Sequence, residues 1–67
     1  MQHWEYMYVD YAENKAKAMN GREFKDWKRN LLPEYLNQIG NDGWELVGAL
    51  TAVNWDYGRL FFKRPKP

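Results

Sequence analysis

The side chains best suited to bind a ligand are aromatic and basic residues near the C-terminus: Trp55, Tyr57, Arg59 and Arg64. Aromatic rings beside cations hold nucleotides and similar molecules, because the ring stacks on a planar group while the cation pairs with negative charge. This pattern predicts a binding site for a nucleotide or another small anionic ligand at a subunit boundary. A solvated tail with Trp55 packed over a hairpin is the structural alternative.

Residues that could support catalysis or bind a metal are few and scattered. The chain has no cysteine and no serine, one threonine and one histidine. Its carboxylates recur at no spacing that would place two on one rigid surface for acid and base catalysis. A single histidine cannot build a zinc site. We therefore expect no enzyme activity, no catalytic residue, no metal and no cofactor.

Length and charge limit the classes of protein further. Sixty-seven residues make a single domain, residues 1–67, with a small core and little stability of its own. The net charge of +1 argues against a nucleic-acid or membrane partner. No segment resembles a membrane span or a signal peptide, so we expect a cytoplasmic protein. An aromatic content of 18% argues against disorder.

Apolar periodicity predicts three strands and one helix. The strands are expected at 4–11, 44–53 and 59–63, and the apolar residues Leu60, Phe61 and Phe62 place the last strand in the centre of the sheet. The helix is expected at 30–39, with Asn30 as its N-cap and Pro33 in its first turn. The predicted fold is α+β: a β-α-β-β core with a small antiparallel three-stranded sheet and one helix on one face.

Residues 12–29 are open to two interpretations. The segment 12–19 has high helix propensity but only a thin apolar stripe. Asn20-Gly21, however, is a strong signal for a two-residue hairpin turn. We favour a short hairpin, inserted between the first strand and the helix, over a second helix.

The junction between the helix and the second main strand carries the most specific local signals. Gly40 follows the last periodic apolar residue, which predicts a left-handed C-cap there. Trp44 is expected to seal the helix end against the sheet. Glu45 should point away from Trp44 and pair with a basic residue such as Arg59 on a neighbouring strand.

Three blocks of the chain resemble a known family: Trp4-Glu5-Tyr6, the segment 36–47 with Gly40, Gly43 and Trp44, and the segment 61–65. In order and content they are similar to the small bacterial and phage family called domain of unknown function 4177. The resemblance implies the β-α-β-β fold and the Asn-Gly hairpin. It implies no activity, because the family has no established catalytic residues.

Strict alternation along the strands predicts a second apolar face that a chain of this size cannot cover. If Leu46 and Leu50 face the helix, the alternate residues Val47, Ala49, Thr51 and Val53 face away from it. Exposed apolar surface of this kind usually marks an interface. The sequence therefore predicts a homo-oligomeric, non-catalytic interaction module, with interface residues Met7, Val9, Val47, Ala49, Val53 and Phe61.

Overall fold

The fold is a five-stranded antiparallel sheet with one α-helix on one face. The computed structural model describes residues 1–52 and 56–67. The strands are β1 (Trp4–Ala12), β2 (Lys15–Met19), β3 (Arg22–Glu23), β4 (Glu45–Thr51) and β5 (Tyr57–Pro65). A 3₁₀ turn, Trp27–Arg29, precedes the helix α1, Leu32–Asn41. The order of strands across the sheet is β3-β2-β1-β5-β4.

The α+β class is confirmed, but the prediction of a three-stranded sheet is wrong. The Asn20-Gly21 hairpin exists, with φ of 51° and 85° at its two turn residues. Its strands β2 and β3 are not an insertion outside the sheet, because β2 pairs with β1 from Val9↔Met19 to Ala12↔Lys15. Ala16 and Ala18 carry little hydrophobic signal in the sequence, yet both are buried once β2 pairs with β1.

The prediction that β5 lies between the first strand and β4 is confirmed, although β1 is the middle strand of the five. Strand β5 pairs antiparallel with β1 along nine residues, from Trp4↔Pro65 to Ala12↔Tyr57, and with β4 on its other side. Leu60 and Phe62 are buried accordingly. The helix begins at Leu32 rather than at Asn30. The Asn30 side-chain amide instead donates to the backbone oxygen of Ala16, which ties the entrance of the helix to β2.

The core lies between α1 and one face of the sheet. Its buried residues come from the helix and three strands: Met7, Val9, Ala16, Ile39, Leu60 and Phe62. Leu32, Tyr35, Leu36 and Trp44 pack against them, as the apolar stripe of the helix predicts. The opposite face, which we call the open face, carries Tyr6, Tyr8, Arg59, Phe61 and Lys63, because β1 and β5 alternate and these residues are paired in register.

A glycine with positive φ follows the helix C-terminus, but it is Gly43 and not the predicted Gly40. Gly40 lies inside α1, and Gly43 is the residue with positive φ, at 93°. The amide of Gly43 donates to the oxygen of Gly40 at 3.0 Å, and that of Trp44 donates to Ile39 at 3.1 Å. This pair of bonds is a Schellman motif. The helix continues past Gly40 because the Schellman bonds and the packing of Trp44 stabilise the longer form.

Candidate functional site

The edge strand β4 is the most exposed apolar element among the described residues. Leu46, Val47 and Leu50 are 55%, 48% and 66% exposed, and Ala49 is exposed as well. One side of β4 pairs with β5, and no described strand lies on its other side. Unpaired backbone groups on such an edge can accept a further strand.

The opposite edge of the sheet is built differently. Strand β3 has two residues, Arg22 and Glu23, and both are charged and exposed. Short, charged edges discourage pairing with another chain. Strand β4 has seven residues, and its one charged residue, Glu45, stands at its end. The two edges therefore differ in their capacity to accept another strand.

A β-bulge in β4 decides which side chains share a face. Leu46 pairs with Phe62 and Gly48 with Phe61, so Val47 is an extra residue in the ladder. Beyond the bulge Ala49 pairs with Leu60 on the helix side, and Leu50 pairs with Arg59 on the open face. Strict alternation, which predicts Leu46 and Leu50 on one face, therefore fails here.

The predicted interface residues are dispersed by the fold. Met7 and Val9 lie in the core under the helix, and not on the face away from it. Ala49 is exposed, but on the helix side of the sheet. Val47 is exposed at the bulge, and Phe61 is half-buried on the open face. Val53 lies outside the described residues. Of the predicted set, Val47, Ala49 and Phe61 remain at accessible positions.

The open face carries aromatic rings that contact cations. The Lys63 ammonium lies 4.2 Å from the ring centre of Trp4. The Arg59 guanidinium lies 4.3 Å from the ring centre of Tyr8, whose ring packs at a tilt against Phe61. These contacts order the charged side chains along β5.

Arg59 is also fixed by a carboxylate on β1. Its Nε and Nη2 donate to the two carboxylate oxygens of Asp10, at 2.6 Å and 3.2 Å. This hydrogen bond raises the pKa of Arg59 above its ordinary value. Glu45, the partner expected from the sequence, instead stands opposite Lys63 in the ladder. Asp10 could have been found from alternation, which places it on the same face as Tyr6 and Tyr8.

A shallow cleft of about 660 Å³, wide open to solvent, lies beside Arg59 at one end of the sheet. Two of the predicted ligand residues, Tyr57 and Arg59, line it. Asp10, Lys17 and Leu50, which the sequence pattern did not single out, line it too.

Arg64 does not join this cleft. It lies near the other end of β5, pairs with Glu5 and donates to the backbone oxygen of Asp42. Trp55, the remaining predicted ligand residue, lies outside the described residues. The predicted ligand set is therefore divided between two regions of the molecule.

Comparisons with known proteins assign no role to this site, so its interpretation depends on geometry alone. No protein family matches the chain, and neither a curated protein nor a solved structure matches it significantly. The resemblance to domain of unknown function 4177 therefore depends on the three sequence blocks alone. In the part of the chain that the structure describes, no helix has the length and apolar character needed to cross a membrane.

Proposed function

We propose that this protein is a non-catalytic interaction module that associates with a second copy of itself through the free edge of β4. The observation that carries the proposal is the exposure of β4, an edge strand with four apolar residues and one terminal charge. Exposed apolar edges of this length are uncommon in monomers, since they promote association.

A second copy fits this edge because antiparallel pairing is self-complementary. The same strand supplies both sides of a two-fold contact, and every paired strand in the described sheet is already antiparallel. The bulge at Val47 interrupts the edge, so the regular stretch from Gly48 to Thr51 is where the strands pair. No like charges meet along that stretch.

The non-catalytic part of the proposal is supported by the partners of two carboxylates. Asp10 accepts both hydrogen bonds from Arg59, and Glu5 pairs with Arg64. Both acids therefore join neighbouring strands at their registered positions in the ladder. Cross-strand pairs of this kind stabilise a sheet rather than transfer protons.

The proposal is tested by measuring mass in solution with analytical ultracentrifugation at protein concentrations from about 1 to 100 μM, a range that covers common dimer affinities. We expect the wild type to be dimeric at the upper end. Ala49→Lys should dissociate it, because Ala49 is exposed within the paired stretch and the substitution would bury an unpaired charge in the contact. Tyr6→Lys is the matched control, since Tyr6 is 68% exposed on the open face and away from β4.

Two results would contradict the proposal. A wild-type monomer at about 100 μM would exclude self-association of ordinary affinity. Dissociation by Tyr6→Lys together with an intact Ala49→Lys dimer would move the contact from the edge of β4 to the open face.

A further inference from the structure

Arg59 presents a rigid guanidinium at the cleft. The Asp10 carboxylate occupies one edge of the group through two hydrogen bonds, and the Tyr8 ring lies against it. The Arg59 side chain is nevertheless 44% exposed and lines the cleft. A guanidinium held in this way is a preorganised platform, because little rotamer freedom is lost when a planar group stacks on it.

The other walls of the cleft supply apolar surface. Leu50 and Tyr57 line the cleft and are 66% and 62% exposed. An aliphatic and an aromatic side chain beside a fixed guanidinium favour a flat, aromatic ligand. The same walls offer less to an extended aliphatic chain, since the stacking surface is planar.

Lys17 adds a second positive charge to the cleft, because the charge of Arg59 is already paired with the Asp10 carboxylate. Its ammonium lies 4.0 Å from the Glu23 carboxylate, a long and exposed ion pair that solvent weakens. The ammonium also lies 5.3 Å from the ring centre of Trp27, and Lys17 lines the cleft. An anionic group in the cleft can therefore compete with Glu23 for this ammonium.

We propose that this cleft binds a small molecule with a planar aromatic ring and an anionic group, the chemistry of a nucleoside monophosphate. The ring stacks on the guanidinium of Arg59, and the anionic group pairs with the ammonium of Lys17. One chain supplies both contacts, so a dissociated chain keeps them, although Leu50 and Thr51 of the cleft also lie in the stretch of β4 that pairs with a second copy.

Calorimetric titration with adenosine monophosphate, adenosine and inorganic phosphate tests whether both halves of the ligand are needed. We expect the monophosphate to bind more tightly than either part. Amide NMR spectra of the wild type should show shifts at Gly58 and Thr51, which line the cleft. No binding at millimolar concentration, or shifts confined to residues around Arg64, would overturn the proposal.

Variants then separate the two contacts. Arg59→Lys keeps the charge but removes the plane, so it should weaken binding of the monophosphate about tenfold. Lys17→Gln should reduce the affinity for the monophosphate to that for adenosine. Arg64→Lys is the matched control, because Arg64 also contacts an aromatic ring, that of Trp44, outside the cleft.

A third variant separates this proposal from self-association. Ala49 does not line the cleft, so Ala49→Lys leaves both ligand contacts in place, and the dissociated chain should still bind the monophosphate. Loss of binding in that variant would contradict a site formed by one chain. An Arg59→Lys protein that is folded by circular dichroism and binds the monophosphate normally would contradict the stacking role of Arg59.

Discussion

The guanidinium of Arg64 lies 4.3 Å from the ring centre of Trp44 and joins the end of the helix to the sheet. Its Nη1 donates to the backbone oxygen of Asp42 at 2.9 Å, and its Nε donates to Glu5 on β1. The cation therefore satisfies a carbonyl beyond the C-terminus of α1, where positive charge is favourable. Trp44 is held between this contact and the core.

Trp44→Ala should destabilise the protein strongly. The half-buried ring packs against the core cluster, so its removal should cost about 2–3 kcal/mol, somewhat less than for a fully buried aromatic side chain. Urea unfolding followed by circular dichroism measures this loss. Trp4→Ala is the control, because Trp4 is 38% exposed. Equal losses in the two variants would contradict the role assigned to Trp44.

Gly43 and Gly40 should respond in opposite directions to alanine. Gly43 has a φ of 93°, where a Cβ is strained, so Gly43→Ala should lower the free energy of unfolding by about 1 kcal/mol. Gly40 lies within α1, and a Cβ there meets no atom within 4 Å. Gly40→Ala should therefore stabilise the protein by up to about 1 kcal/mol. Thermal melts of both variants measure these changes in stability. A stabilised Gly43→Ala variant would show that Gly43 does not adopt the left-handed conformation that follows the helix.

Gly58→Ala should weaken the pairing of β4 with β5. A Cβ at this position would lie 2.5 Å from the backbone oxygen of Leu50 and 3.0 Å from Cα of Thr51. Because both are backbone atoms, the strands must separate, at a cost of about 1–3 kcal/mol. Gly48→Ala is the control, since no atom lies within 4 Å of its added Cβ. Hydrogen exchange of the Leu50 and Thr51 amides should rise in Gly58→Ala alone, and unchanged protection would contradict the close approach.

Tyr35 should make the protein less stable at alkaline pH. Burial raises the pKa of Tyr35 above the ordinary value of 10.0, because the folded state disfavours the charged phenolate. Its contribution to stability is complete below pH 10 and is lost as the pH rises through the pKa of the folded state. Tyr35→Phe should therefore lose less stability than the wild type as the pH rises above 10. Urea unfolding at several alkaline pH values measures the difference. Tyr6→Phe is the control, because Tyr6 is an exposed tyrosine. Parallel curves of stability against pH for the wild type and Tyr35→Phe would contradict the prediction.

The main strands could be predicted closely because their side chains are bulky and periodic. The first was expected at 4–11 and extends from Trp4 to Ala12, and the helix stripe from Leu32 to Ile39 packs on the core as predicted. Strands β2 and β3 were not predicted as part of the sheet, because their side chains are small or charged and show no apolar periodicity. Ala16 and Ala18 are small, so their burial depends on pairing with β1 rather than on their own hydrophobicity.

The choice of sheet face could not be predicted from β1, since both of its faces are apolar. Tyr6 and Tyr8 have larger side chains and were expected to face the core, yet Met7 and Val9 are the residues buried there. A tyrosine keeps its hydroxyl in water at low cost when it stays partly exposed, whereas an aliphatic side chain gains only from burial. The helix therefore covers the aliphatic face.

By itself the sequence determined the α+β class, the helix stripe and the place of β5 between two strands, and it favoured the Asn-Gly hairpin over a helix, because local propensity and periodicity act on each of them. Only the tertiary structure decided that Gly43 rather than Gly40 closes the helix, that Arg59 pairs with Asp10, and that Lys17 lines the cleft with Arg59. These outcomes depend on strand order and on a one-residue bulge at Val47. Such contacts join residues far apart in the chain, and their register is set when the strands pair.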